Sequence, residues 1–487
     1  MTSLGRITRS LFVRIPDWML LFLFCGLLLT QTILSLREKS ATYDETVHLP
    51  AGHFHLKFGN YSFNPEHPPL VKMFAALPLL FVEVKMPSQG EPFGGPSKYF
   101  RFGHRFLYEE NDGDRLLFLG RMAVLPLTCL LACIVFLWTK QFFGRKAALM
   151  ALFLYSLEPN MLAHAGLVNT DLGAASFILI TIYAFYRLVH QISIPHLLFA
   201  CFAFGLALIV KFSTLTLLPM LILLGGGVVV SKHPIDLRLP GVMRGYVTSR
   251  LKKLLILLAA MIGMALVAYM TIWVAYRFRN EAIVLPGQSS PPPWDQTSSD
   301  QPWIKRAILW MKDAKVLPEA YLYRFATAFQ SLNRPSFLMG ELSTEGWWYY
   351  FIVSFVLKTP LPLVLFLLVT PFSIRPFWRM DPVAVLCLVV PGRSLLRHCL
   401  GESAQHRPSS YPTDLPLSVR HSQLPHALGT WAAGFRQRGP GDLCGLVCIF
   451  LRLDLPPLPG LLQRAGRGAE QRLQILGGFQ PRLGAGS

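Results

Sequence analysis

Charge is scarce in this chain. Only 15% of its 487 residues are Asp, Glu, Lys or Arg, where a soluble domain usually carries about 25%. That scarcity excludes a cytosolic globular enzyme and an intrinsically disordered chain, both of which need a more polar composition. Cysteine is sparse too. The eight Cys are scattered, mostly inside apolar runs, with no CxxC pair, so no disulfide scaffold, zinc site or redox motif can be read from them. Acidic residues are few, 27 against 46 basic ones. The resulting charge of +19 would ordinarily suggest nucleic acid, but the basic residues sit between apolar runs. That distribution points to a membrane and to no nucleic-acid partner.

What the chain has in plenty is apolar sequence, 52% of it hydrophobic, with a mean hydropathy of +0.42. A helix crossing the hydrocarbon core needs about 20 apolar residues. Such runs fall near 18–36, 116–138, 146–165, 172–189, 195–212, 214–231, 254–275 and 347–370, and a ninth opens at 383. The first is too long, and too plainly followed by further spans, to be a cleaved signal peptide. The expected fold class is an all-α polytopic membrane protein.

The distribution of Lys and Arg orients it. Arg6, Arg9 and Arg14 precede the first span, so the N-terminus is expected in the cytoplasm. Counting onward, the inner loops are TKQFFGRK, the turn after Arg187, residues 231–253 and SIRPFWRMD, and each contains Lys or Arg. The outer segments are then 37–115, 158–173 and 276–346.

The outer segments gather the candidate chemistry. Asp44 and Glu45 follow the first span within about ten residues, and a carboxylate held there can act as general base on an acceptor hydroxyl. The two acids could instead share a divalent metal, with His48, His53 and His55 as ligands, although the spacing matches no recognised site. His67, before Pro68 and Pro69, could face a phosphate or simply cap the helix that follows. The run from Leu70 to Val82 is too short to span and reads as an interfacial helix. Asp171 opens a span, where it is either a functional acid or an ordinary N-cap. Lys211, near the outer end of the fifth span, either snorkels or neutralises a lipid phosphate. Arg121 lies inside the second span and needs an anionic partner.

Four segments together resemble the GT-C membrane glycosyltransferases that take a sugar from a polyprenyl-phosphate donor, a group that includes protein O-mannosyltransferases and the bacterial aminoarabinose transferase. They are YDETVHLPAGHFHLKFGNYSFNPEHPPLVK (43–72), EPNMLAHAGLVNTDLGAASF (158–177), GLALIVKFSTLTLLP (205–219) and the stretch 318–362. The resemblance implies a GT-C-like bundle over residues 1–391, with a large first outer loop carrying interfacial helices. It implies Asp44 as the catalytic carboxylate, with Glu45 beside it, and Asp171 as the supporting acid. Lys211 would hold the donor phosphate, helped by His67 or Arg121. The partners implied are a polyprenyl-phosphate sugar, a protein or lipid/glycan acceptor, and membrane lipid. The membrane would be a bacterial inner membrane or an ER-like one, with the site on its periplasmic or outer face. No cofactor is required by this reading. The alternative class is a transporter or flippase of lipid-linked sugars, but those tend to show inverted repeats, and the chain has no internal repeat.

Composition changes abruptly near Pro391. From Gly392 to Ser487 there are 11 Arg but no Lys, Asn or Met, and no run long enough to span. Shifting the reading frame by one base, with permitted codons, lets GRSLLRHCLGESAQHRPSSYPTDLP decode as VAVYFAIAWESRLNIGHRHILPIYP. The decoded stretch completes the ninth span and then resembles a segment of the same glycosyltransferases. Residues 392–487 are therefore expected to be an out-of-frame tail and not a folded domain.

Overall fold

The computed structural model describes residues 15–87, 96–239, 244–280, 294, 302–328, 336–343, 347–369 and 383–390, with positions 62, 65 and 348 excepted. Arg6, Arg9, Arg14, the SIRPFWRMD loop and the whole tail 392–487 lie outside these residues. The described chain is all-α and polytopic in character, with five helices long and apolar enough to cross a membrane.

The first, α1 (Asp17–Leu36), is a 20-residue apolar run entered through Pro16 and closed at Arg37. In the loop that follows lie α2 (Glu45–Phe58), α3 (Leu70–Ala76) with a 3-10 turn over Leu77–Leu80, and α4 (Pro96–His104). The helix expected over 70–82 runs from Leu70 to Leu80, and Val71, Lys72, Ala75 and Ala76 are buried against protein.

Next comes α5 (Gly113–Leu157), 45 residues long. Straight, it would run about 68 Å, more than twice the hydrocarbon thickness. It breaks at Gly144, whose φ of 80° and ψ of 176° lie where a side chain is rarely tolerated. The Tyr155 hydroxyl donates to the Thr128 carbonyl at 3.0 Å, across 27 positions. Those residues would lie about 40 Å apart on a straight helix, so the two limbs fold back as a hairpin. The spans expected at 116–138 and 146–165 are these limbs, with one correction. The second limb ends at Leu157, because the Glu158 carboxylate accepts from the Met161 amide and starts a separate turn, α6 (Pro159–His164).

The bundle continues with α7 (Asp171–His190), α8 (Ile194–Leu208), a 3-10 turn over Phe212–Thr216 running into α9 (Leu217–Val230), and α10 (Arg250–Ala275). α8 is packed between α7 and α10, and Gly205 allows the close approach: a Cβ there would stand 2.6 Å from the Thr271 hydroxyl. Phe185, Val189, Ala200, Ala207 and Met264 fill this core, while Leu255, Ile262 and Leu266 of α10 face outward as lipid-facing residues should. Three short strands, β1 (Gln191–Ile192), β2 (Ile235–Leu237) and β3 (Gly245–Val247), close the opposite end of the bundle in the order β1-β2-β3, parallel then antiparallel. At that end Asp17 pairs with Lys140 and Arg145.

Beyond α10 lie α11 (Pro302–Asp313) and α12 (Glu319–Ala328), packed on each other through Ile308, Leu322 and Ala326, and a hairpin of β4 (Ser336–Leu338) and β5 (Glu341–Ser343). The single span expected at 347–370 is two helices, α13 (Tyr350–Lys358) and α14 (Leu361–Val369), bent by 115°. Pro360 is the cause. It pushes Thr359 to an extended φ of −90° and ψ of 130° and cannot continue the helical hydrogen bonds. Residues 383–390 are helical, as the expected ninth span requires, and Leu386 packs toward Gly227 of α9.

Candidate active site

The segments between spans meet at the end of the bundle where α1 stops, and a buried ion pair ties them together. Arg121, in the first limb of α5, sends Nε to Glu45 Oε1 (2.8 Å) and Nη2 to Glu45 Oε2 (2.7 Å). Its remaining N–H groups reach the carbonyls of Leu36 (3.1 Å), Lys39 (2.8 Å) and Ser40 (2.8 Å). A guanidinium has five donors, and all five are used. Glu45 also accepts from the Thr42 amide (2.9 Å), the Thr42 hydroxyl (3.0 Å) and the Val168 amide (3.2 Å). Both side chains are fully buried. Burial alone would raise the Glu45 carboxyl, but the Arg121 hydrogen bonds and the two amides outweigh it and hold the carboxyl below its ordinary value.

Two of the residues expected at the site form this pair. Arg121 has the anionic partner that its depth demanded, yet no N–H is left for a donor phosphate. Glu45 has neither oxygen turned to an acceptor. The pair instead splices the end of α1, the start of α2, the first limb of α5 and the Val168 turn into one frame.

That frame fixes the backbone of the preceding residue, Asp44, which stands at the N-terminal boundary of α2 with its side chain exposed. Desolvation by the surrounding chain raises the Asp44 carboxyl above its ordinary value. Repulsion from Asp171, Glu66 and Glu45 adds to this, against the pull of Lys211. Thr170, not Asp171, occupies the N-cap of α7. Asp171 instead pairs with Lys211, which sits ahead of the 3-10 turn at Phe212. Lys211 is 25% exposed and Asp171 52%, so the pair is open to an incoming molecule.

His67 lies behind these groups. Its Nδ1 is buried without a hydrogen bond, and its ring stands edge-on to His48 at 5.8 Å. Burial, then the charges of Lys72 and Lys211, hold His67 well below its ordinary pKa. His48 and His55 are each pushed down to about 3, again chiefly by burial. Their Nδ1 atoms meet the carbonyls of Val168 (3.1 Å) and Asn60 (2.8 Å). Among the described residues no group of three or more His, Cys, Asp or Glu side chains is placed to hold a metal ion.

Three neighbours were not singled out from the sequence. Glu66 and Arg324 approach each other at 4.0 Å, joining the first long loop to α12. Lys72 is the third, fully buried on α3. Its signal was a lone cation in the otherwise apolar run LVKMFAALPLL.

Searches among curated proteins and among solved structures found no match to the chain. A family model described as dolichyl-phosphate-mannose-protein mannosyltransferase matches residues 117–240. This stretch runs from α5 through β2 and contains Arg121, Asp171 and Lys211. The resemblance to GT-C glycosyltransferases is therefore supported by an independent match, over residues 117–240.

Proposed function

We propose that this chain is a membrane glycosyltransferase that moves a sugar from a polyprenyl-phosphate donor to a hydroxyl of a protein or lipid/glycan acceptor, with inversion at the sugar carbon. The observation that carries the reading is the open Asp171–Lys211 pair beside an exposed Asp44 on a rigid backbone. Asp44 takes the proton of the acceptor hydroxyl as the new bond to the anomeric carbon forms. The bond from that carbon to the phosphate oxygen breaks, and the polyprenyl phosphate leaves with the electron pair. Lys211 offsets its charge, and Asp171 keeps the ammonium in place. Phosphate is already a good leaving group, so positioning and charge stabilisation supply most of the acceleration. On the Lys and Arg distribution, the site faces the periplasm or its equivalent and the N-terminus the cytoplasm.

We read residues 392–487 as an out-of-frame translation. The composition break supports this, and so do α13 and α14, two apolar helices that bury no residue and so await partner spans. The chain as written is then expected not to transfer sugar, whereas a frame-restored chain is. The test is a transfer assay with radiolabelled polyprenyl-phosphate sugars in liposomes containing the frame-restored protein. Asp44→Asn should abolish transfer while leaving expression intact. Retained transfer would refute the base assignment.

A further inference from the structure

Lys72 is buried on an apolar helix, and the three N–H groups of its ammonium all go to neutral oxygens. They reach the Asn64 carbonyl at 2.6 Å, the Asn64 side-chain oxygen at 2.9 Å and the His67 carbonyl at 2.9 Å. Asn64 has a positive φ of 43°, a conformation that costs a non-glycine residue energy and persists only where contacts enforce it. Two of the Lys72 bonds are such contacts. On its other side the Lys72 backbone touches α2: a Cβ on Gly52 would stand 1.9 Å from the Lys72 carbonyl oxygen. Lys72 is therefore the joint between the helix that follows Asp44 and the turn that carries Glu66 and His67.

We propose that Lys72 is a positioning residue whose ammonium clamps the turn bearing Asn64, Glu66 and His67 beside Asp44 and Lys211. The inference rests on the function proposed above for those two groups. The groups facing Lys72 are His48 and His55 from α2, Glu66 and His67 from the turn, and Arg324 from α12. Burial lowers the Lys72 amine to about 7, with Arg324 adding to the shift and Glu66 opposing it. A neutral amine has two N–H donors and a lone pair. On deprotonation one of the three carbonyl contacts is lost, and the lone pair turns toward an oxygen. The clamp is closed below neutral pH and loosens above it.

Hydrogen–deuterium exchange of the full chain in lipid nanodiscs, from about pH 6 to about pH 9 and corrected for intrinsic exchange, tests this without substrate. Amides of residues 59–70 should lose roughly tenfold protection as pH rises through the Lys72 pKa, a change of the size expected for one charge-assisted hydrogen bond. Lys72→Arg, which stays charged, should hold its protection across the range. Lys72→Met should lack it at every pH, with α7 still protected. A flat wild-type profile, or Lys72→Met as protected as wild type, overturns the clamp. If α7 opens in Lys72→Met, the arginine variant decides: the same pH dependence as wild type overturns the proposal, and a flat profile upholds it. In the frame-restored enzyme the alkaline limb of kcat should move up in Lys72→Arg. Absence of transfer in every variant would remove the functional reading while leaving the exchange result standing.

Discussion

Replacing Arg121 with Met tests the frame on which the site is built. The change removes five hydrogen bonds, two of them to Glu45, and leaves a carboxylate with no exposed surface uncompensated. Breaking a buried pair from one side costs about 3–5 kcal/mol. Two details set the expected value near the lower bound. Glu45 keeps the Thr42 amide, the Thr42 hydroxyl and the Val168 amide, and Lys39 and Ser40 are exposed enough for water to satisfy their carbonyls. The expected loss is about 3 kcal/mol, measured by reversible unfolding in mixed SDS micelles followed by circular dichroism. Glu45→Gln should cost less, and the double variant should fall short of the sum by about 2 kcal/mol, since the two residues share one network. The pH dependence has a definite sign. The Glu45 carboxyl is lowered in the folded state, so its contribution is complete above the unfolded carboxylate value, about 4, and disappears as pH falls through the folded value. The gap between wild type and Arg121→Met should therefore close in acid. A loss below about 1 kcal/mol, or strictly additive single variants, would refute the frame.

Asp44 has the opposite sign. Its carboxyl is raised in the folded state, so ionisation weakens the fold as pH climbs from the unfolded to the folded value. Asp44→Asn should be at least as stable as wild type at neutral pH in the same unfolding assay, even though it transfers nothing. Gly52→Ala should cost several kcal/mol, roughly 3 or more, because the clash is with the Lys72 backbone oxygen at 1.9 Å and no side chain can swing aside. Gly144→Ala has open space around it and meets only backbone strain, so about 1–3 kcal/mol is expected. A thermal-shift series of the two variants separates clash from strain. Sequencing the gene across codons 380–400 should show one base gained or lost relative to the given reading. An unaltered frame would leave a chain that keeps Asp44 and Asp171 but transfers nothing.

The spans were legible because a membrane demands long apolar runs, and those runs survive as α1, the two limbs of α5, α7, α9 and α10. The run expected at 195–212 is the 15-residue α8, shorter than a full crossing; in two other places one local residue overrode hydropathy. Glu158 capped a new turn, and Pro360 broke a run that composition alone would have kept straight. In the site, the demand for a partner to Arg121 was readable from its depth. That the partner was Glu45 was not, because 76 positions separate them and the neighbouring Asp44 looks the same in sequence. Only the fold shows that one of two adjacent acids is buried and the other open. Lys72 was visible as a lone cation, but its acceptors are carbonyls, which every residue carries and no sequence marks.

The hairpin of α5 also bears on how the protein is made. Its limbs are joined by the short polar stretch TKQFFGRK, bent at Gly144, which is too short to let one limb settle in the bilayer while the other stays away from it. They enter as a pair. The tether from Asp17 to Lys140 and Arg145 becomes available at that moment, before α7 has been synthesised. Three crossings can thus assemble as an autonomous insertion unit, with Arg121 and Glu45 already matched. Asp171 and Lys211 arrive later, against a template that is already set.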